Sequence, residues 1–219
     1  MFQHDFLPSV SLARDDSGPT RVYLNEENES FVSVTAALSH LSRKGISEWK
    51  KRVGEDEAKR VGMKAARFGT SVHDSLEKYC YNDPQWKDVM PTTLSSVNMI
   101  REYLDKNVTT IYGLEHQMFS RELKTAGTVD CVCDYNSKFS VVDFKTSKRV
   151  KTADQILSYF LQCTAYGIMI EELYDRKVEQ IVVLMAVTDT RGIEFVYPFD
   201  TFHNKTKNYF RYSHDGLLT

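Results

Sequence analysis

An aspartate two residues ahead of a lysine interrupts an apolar, strand-like run in VVDFKTS, Val141 to Ser147. Five acid-x-lysine triplets occur in the 219-residue chain. Glu48/Lys50, Glu57/Lys59, Glu122/Lys124 and Asp175/Lys177 lie among other charges, where a solvated face or a helix end accounts for them. Asp143 and Lys145 differ. In a strand of period two they project from one face while Val142 and Phe144 point to the other. A second carboxylate, Asp130, follows a β-forming residue in GTVDCV, and Gly127 ahead of it leaves room for a backbone or phosphate to come close. If the two strands pair, both carboxylates converge. Like charges that close raise each other's pKa unless a cation sits between them. Carboxylate oxygens suit Mg²⁺ or Mn²⁺, which keep several waters and also take substrate phosphates. Lys145 could hold or help deprotonate an attacking water beside such an ion. The alternative is a structural Asp–Lys ion pair on an edge strand.

Two helical patterns offer further groups. In RFGTSVHDSLEKYC, Phe68, Val72, Leu76 and Tyr79 form an apolar stripe, and His73 and Glu77 share a face beside it. Those two could be ligands or simply a local His–Glu hydrogen bond. In LQCTAY and the residues before it, Ser158, Gln162 and Tyr166 fall in one helical row, either a polar flank or a face turned to the site.

The elements that must position these groups read as a mixed α/β chain. An extended SVSLAR, a turn-rich DDSGPT and RVYL suggest a hairpin, followed by the polar NEENES. Ser33 or Thr35 could cap a helix through Leu41, and Ile46 to Tyr81 reads as helical with breaks near Gly54, Gly62 and Gly69. PTTLSSVNMIREYLDKNV carries a helical stripe of Leu94, Val97, Ile100, Tyr103 and Leu104. Then IYGLEHQMFS, TAGTVDCVCDY and FSVVDFKTS read as successive strands, with turn chemistry at Asn136 and Ser137. A helix from about Gln155 to Leu173, the strands QIVVLMAVTD and EFVYPFD, and a final helix in HNKTKNYFRYSH complete the pattern. The expectation is a single domain over 1–219: a hairpin-like extension at 1–30, a helical region at 31–110 and a sheet core with flanking helices at 111–219.

Composition bounds the function. With 42% apolar and 26% charged residues and no long uncharged apolar run, the chain is expected to be soluble, with no membrane partner. MFQHDFLPSV has the pattern of neither a signal nor a transit sequence, so a cytoplasmic location is expected. Cys80, Cys131, Cys133 and Cys163 include no Cys-x-x-Cys pair and are expected as reduced thiols. A net charge of −2 gives no global attraction to nucleic acid. Locally, however, nine Lys or Arg stand against four acids from Arg43 to Arg67, among them Lys50, Lys51, Arg52 and Arg67. Lys145, Lys148, Arg149 and Lys151 form a second cluster. These could track phosphates with the hydroxyls of Thr146 and Ser147, and Trp49, Phe68, Tyr79 and Tyr81 could stack on unpaired bases.

Taken in order, GTSVHDSLE, GTVD, VVDFKTS and QCTAY resemble the motifs of the RecB-like nucleases in the PD-(D/E)XK superfamily. Any one is weak evidence; four in order on the expected elements are strong. Through FVSVTAALSHL, EWKKRVGEDEAKR, IYGLE and LKTAGTVDCVCDYNSKFSVVDFKTSKR the resemblance extends to the mitochondrial genome maintenance exonuclease branch and its phage relatives, over roughly residues 30 to 200. It implies a restriction-endonuclease-like core, a central mixed sheet flanked by helices with an N-terminal helical region. It also implies an Mg²⁺- or Mn²⁺-dependent deoxyribonuclease of DNA replication, recombination or repair, acting from free ends of single-stranded DNA in the cytoplasm of a bacterial or phage-infected cell. By position, His73, Asp130, Asp143 and the Phe144 carbonyl would hold the metal and Lys145 would be the catalytic lysine. Gln162 and Tyr166 would support the site and the DNA backbone, and Glu77 and Glu115 would be secondary acids. Resemblance and charge together suggest a flap over the strand from residues 46 to 68. The cysteine clusters of the iron-sulfur branch and helicase motifs are missing. A duplex-specific 5′ exonuclease, a structure-specific endonuclease and an inactive DNA-binding accessory subunit are the rival expectations, and replication or recombination proteins are the partners implied.

Overall fold

The computed structural model describes residues 1–18 and 20–217, and the side chains of all of these except 42, 44 and 212–217. β2 (Ala13–Asp15) and β3 (Val22–Leu24) form the expected antiparallel hairpin, although Pro19 in its turn lies outside the described residues. The hairpin is no appendage. β4 (Ser30–Ser33) pairs with β3 and joins it to the main sheet, while β1 (Gln3–His4) lies parallel on the sheet's other flank.

The helical region begins with α1 (Val34–Leu38), whose preceding Ser33 hydroxyl meets the Thr35 hydroxyl at 2.9 Å instead of capping a backbone N–H. α1 stops short of the expected Leu41, and α2 (His40–Val53) follows directly. Of the three glycines expected to break the next stretch, only Gly54 does so. Its φ of +87° is open to glycine alone at low cost, and it separates α2 from α3 (Glu55–Cys80). Gly62 and Gly69 stay inside α3, where burial of Val72 and Leu76 outweighs a penalty of about 1 kcal/mol for each. α4 (Pro91–Asn107) starts with proline in the first turn, where no N–H is missed, and buries Val97, Ile100 and Leu104 completely.

β5 (Val108–Ser120), β6 (Thr125–Tyr135) and β7 (Lys138–Ser147) run antiparallel in sequence. Asn136 and Ser137, with φ of 52° and 59°, form the two-residue turn whose twist suits a hairpin. α5 (Leu157–Tyr174) then crosses to β8 (Gln180–Val187), parallel to β7, and β9 (Arg191–Pro198) and α6 (Asp200–Leu217) follow. β7 is therefore an interior strand, paired on both sides, and not the edge strand of the alternative reading.

The sheet divides two apolar cores. One face packs Phe160, Ile168 and Ile170 of α5, Ala37 of α1 and Phe210 of α6; the other packs Leu76 of α3 and Ile100 of α4. Alternate residues of one strand thus enter different cores, Val141 the first and Val142 and Phe144 the second. α5 is buried through its middle, from Phe160 to Ile170 except at Gln162, as a helix between sheet and outer helices must be.

One irregularity positions everything that follows. On one side β6 pairs with β5 along its length, but on the other it changes partner. Its first residues pair with β4, at Val32–Thr125 and Ser33–Ala126, and its last with β7, beginning at Cys131–Val142. Between these ladders, residues 127–130 of β6 face a fork.

Candidate metal and nuclease site

Asp130 stands at the mouth of that fork. Where the β6–β7 ladder ends, the Phe144 N–H donates to Asp130 Oδ2 at 2.6 Å, so a side chain stands in for the missing strand partner. The N–H and C=O of a strand residue point the same way, which directs the Phe144 carbonyl to the Asp130 side as well. The other oxygen, Oδ1, faces His73 Nδ1 at 3.5 Å. Burial alone would raise the Asp130 carboxyl, but His73, Lys145 and the Phe144 N–H outweigh it and hold it below the ordinary carboxylate range. Burial would likewise lower the His73 imidazole, and Asp130 more than reverses that.

Glu115, opposite Asp130 across the β5–β6 pair, completes the cluster. It sits between the registered pairs Leu114–Cys131 and His116–Val129 with φ of 43°, a left-handed backbone rare for a long side chain within a strand. Ligand atoms of His73, Glu115 and Asp130 all lie within 4.8 Å of one another. Although Glu115 is exposed on its outer side, its carboxyl is pushed up to about 7, by desolvation first and then by the Asp130 charge. Glu77, one turn after His73 on α3, lines the same cleft, and its carboxyl is raised by burial and by Asp74.

Asp143 and Lys145 form an ion pair on the α5 face of β7, as their spacing requires. Asp143 is wholly buried, and its Oδ1 has no hydrogen-bond partner. Burial, with Asp130 repelling and Lys145 attracting, pushes it up to about 6. Burial opposes the Lys145 charge too, yet Asp143 and Asp130 raise the ammonium above its ordinary value. The lysine is thus held charged. Its Nζ lies 5.1 Å from the centre of the Tyr159 ring, which Lys151 approaches at 5.2 Å while donating to the phenol oxygen at 3.1 Å. Tyr159 was missed from the sequence because it lies inside the apolar run that opens α5; the two lysines that it gathers are remote in pattern from it.

These residues fit a divalent cation. Three carboxylates and one imidazole gather beside Lys145; Asp130 is held ionised, the Glu115 and Asp143 carboxyls are pushed up by their surroundings, and a buried carboxylate oxygen of Asp143 is left unpartnered. Mostly oxygen donors of this kind suit Mg²⁺ or Mn²⁺. His73, Glu115 and Asp130 form the tight group, which brings Glu115, expected as a secondary acid, as close as the expected ligands.

Other expected residues are placed differently. Tyr166 is 2% exposed, so it cannot touch DNA directly. Its ring fills the space left by Gly127, where an added Cβ would come within 2.9 Å of Tyr166 Cε1. Gly127 therefore makes room for a tyrosine rather than for a phosphate. Gln162 donates to the Tyr166 hydroxyl at 3.3 Å and braces the fork from behind. The Ser147 hydroxyl is engaged in its own turn, donating to the Arg149 carbonyl at 2.7 Å, which leaves it poorly disposed to bind phosphate. Tyr79 is packed against Trp86 and Phe2 and donates to Asp105, so it is not a stacking surface. Thr146, Lys148 and Phe68 do meet: with Lys64 they line a cavity of about 380 Å³ between α3 and the end of β7. Arg149, Lys50, Lys51, Arg52 and Arg67 are exposed, the middle three at the end of α2. The four cysteines are buried and free, and among the described residues no helix is long and apolar enough to cross a membrane.

No family model matches the chain. It is similar to human mitochondrial genome maintenance exonuclease 1, 29% identical over 149 residues, which cover 64% of this chain and 42% of that protein. The chain thus spans less than half the length of the curated relative that it matches. A solved structure from Eubacterium rectale, provisionally described as an exonuclease, superposes with a TM-score of 0.49 over 69% of this chain and 66% of the other at 13% identity. The sequence similarity agrees with a nuclease of the PD-(D/E)XK type, as the four motifs imply.

Proposed function

We propose that this chain is an Mg²⁺- or Mn²⁺-dependent deoxyribonuclease that hydrolyses phosphodiester bonds from free ends of single-stranded DNA. The convergence of His73, Glu115 and Asp130 at the fork of β6, one residue-pair away from Asp143 and Lys145, carries the reading. His73, Glu115 and Asp130 would hold the cation, with Asp143 and the Phe144 carbonyl on the β7 side. A cation so held lowers the pKa of a bound water and offsets charge on the phosphate oxygens.

The residues themselves do the positioning. Lys145, held charged by two carboxylates, donates hydrogen bonds to the attacking water or to a phosphate oxygen; that raised ammonium is a poor base, so it orients rather than deprotonates. Tyr159 restrains its swing from the α5 side. Gln162 and Tyr166 keep the fork open behind Asp130. Thr146, Lys148 and Arg149 lie just beyond the lysine, where a phosphate backbone leaving the site would pass. The basic end of α2 and α3, joined at Gly54, is suited to close over an unpaired strand, with Phe68 available to a base.

The test is cleavage of end-labelled linear and circular single strands, and of duplexes, with Mg²⁺, Mn²⁺ or EDTA. Metal-dependent loss of linear single strands with circles spared is the expected result, and Asp143→Asn and Lys145→Ala abolish it. Cut circles would make the protein an endonuclease, duplex-only cleavage a double-strand exonuclease, and undiminished cleavage by both variants would overturn the mechanism.

A further inference from the structure

The N-terminal residues, whose role the sequence leaves open, build a wall of a second cavity beside the metal cluster. β1 is bolted in place: Asn82, just past α3, bonds both the N–H and the C=O of Phe2, at 2.9 and 3.0 Å. His4 Nε2 bonds the Cys80 carbonyl at 2.8 Å, and the Asp5 and Leu7 amides donate to β5 at 3.0 and 2.8 Å. Farther on, the Pro8 carbonyl accepts from Tyr174, which also bonds His116. This segment is held at Phe2, His4, Asp5, Leu7 and Pro8.

That rigidity presents two aromatic rings to solvent. Phe6 is 49% exposed and Tyr81 is 46% exposed, with ring centres 5.9 Å apart; His4 stacks on Phe6 at 5.1 Å. Together with Leu114, Glu115 and Gln117, Phe6 and Tyr81 line a cavity of about 350 Å³. Glu115 also lines the cleft of His73 and Asp130, so one residue borders both spaces. Tyr81, the residue that caps the end of α3, lies beyond His73 by about 12 Å of helical rise, within reach of the last nucleotides of a strand whose phosphate lies at Asp130.

Charge selects the occupant. Lys64 and Lys148 line the cavity on the Phe68 side of the site, whereas among the described residues no lysine or arginine lines the Phe6–Tyr81 cavity. A phosphate backbone meets lysines on the first side and none among the described residues that line the second. Aromatic faces with amide and imidazole groups around them suit an uncharged, unpaired base.

We propose that the Phe6–Tyr81 cavity is a stacking subsite for the base of the terminal nucleotide, and that the strand's phosphate backbone extends from the metal cluster toward Lys64 and Lys148. The proposal rests on the reading of the chain as a single-strand nuclease and fixes where its substrate ends.

A short single strand carrying 2-aminopurine at its 5′ end, its 3′ end or its middle tests this. Binding is followed by fluorescence, in EDTA with the native protein and in Mg²⁺ with the Lys145→Ala protein. Quenching is expected for one terminal position and not for the middle one. Phe6→Ala with Tyr81→Ala should remove that quenching and weaken binding about fivefold or more, the loss expected for one stacked base. The pair should leave the metal-dependent thermal shift unchanged, which excludes misfolding. Quenching at no end, at all positions alike, or persisting in the double variant overturns the subsite. End-specific quenching without any cleavage by the native protein would instead sink the nuclease reading and leave the subsite standing.

Discussion

Replacing Lys145 by methionine, which keeps the stem's volume and removes the charge, isolates the electrostatics of the buried pair. Asp143 is wholly buried, its Oδ1 has no hydrogen-bond partner, and Lys145 is the cation paired with its Oδ2. In the native protein the carboxyl sits at about 6, above the unfolded value near 3.9, so burial of Asp143 costs stability progressively between those two pH values and no further above 6. Without the lysine its folded pKa rises further, because the attraction that lowered it is gone. The variant then keeps losing stability relative to the native protein as pH climbs above 6, by about 1.4 kcal/mol per pH unit. At pH 5 the carboxyl is protonated in both proteins and this loss is small; by pH 8 it reaches at most about 3 kcal/mol. That lies at the low end of the range for a broken buried ion pair, as expected with Lys145 partly open to solvent. Urea unfolding at pH 5, 6, 7 and 8 in EDTA measures it. Adding Asp143→Asn should flatten the pH dependence. Equal destabilisation at pH 5 and pH 8, or a double variant with the same slope, would refute the reasoning.

Two further outcomes follow from the fork. Gly127→Ala drives a methyl into the Tyr166 ring and should cost about 1–3 kcal/mol in urea unfolding, a cost that Tyr166→Leu relieves in the double variant; an unperturbed single variant would show the fork to be loosely packed. Mg²⁺ or Mn²⁺ at a hundred times its dissociation constant should stabilise the native protein by about 2.7 kcal/mol, measured as a rise in Tm that EDTA reverses. Asp130→Asn, which keeps an acceptor for the Phe144 N–H but loses a charge, should abolish that rise; an undiminished rise would place the metal elsewhere.

The chemistry of the site was more legible than its geometry. Asp143 and Lys145 were readable because strand periodicity alone puts them on one face, and Phe144 on the other. The Asn136–Ser137 turn was readable because short polar residues between apolar runs tolerate a positive φ. The prominence of Glu115 was not, since a single left-handed residue within β5 leaves no trace in the pattern of IYGLEHQ. Gly127 was correctly marked as a close approach but given the wrong neighbour, because the Tyr166 ring comes from a helix more than thirty residues away. Helix breaks were overread at Gly62 and Gly69: glycine weakens a helix, but only the backbone at Gly54 leaves the helical region. The role of β4 in making the fork depends on a pairing between distant segments, which no local signal carries.

That pairing also sets an order of assembly. Val32 meets Thr125, and Gln3 meets Thr110, across separations of roughly ninety residues or more, so these contacts close long loops and reward the chain late. The hairpin of β6 and β7 closes through two turn residues and can form early. Until β4 arrives, the near end of β6 is an open ladder, able to pair with another chain as readily as with its own. The segment nearer the amino terminus is therefore the one that finishes the site, and the half-built sheet is the species most exposed to aggregation.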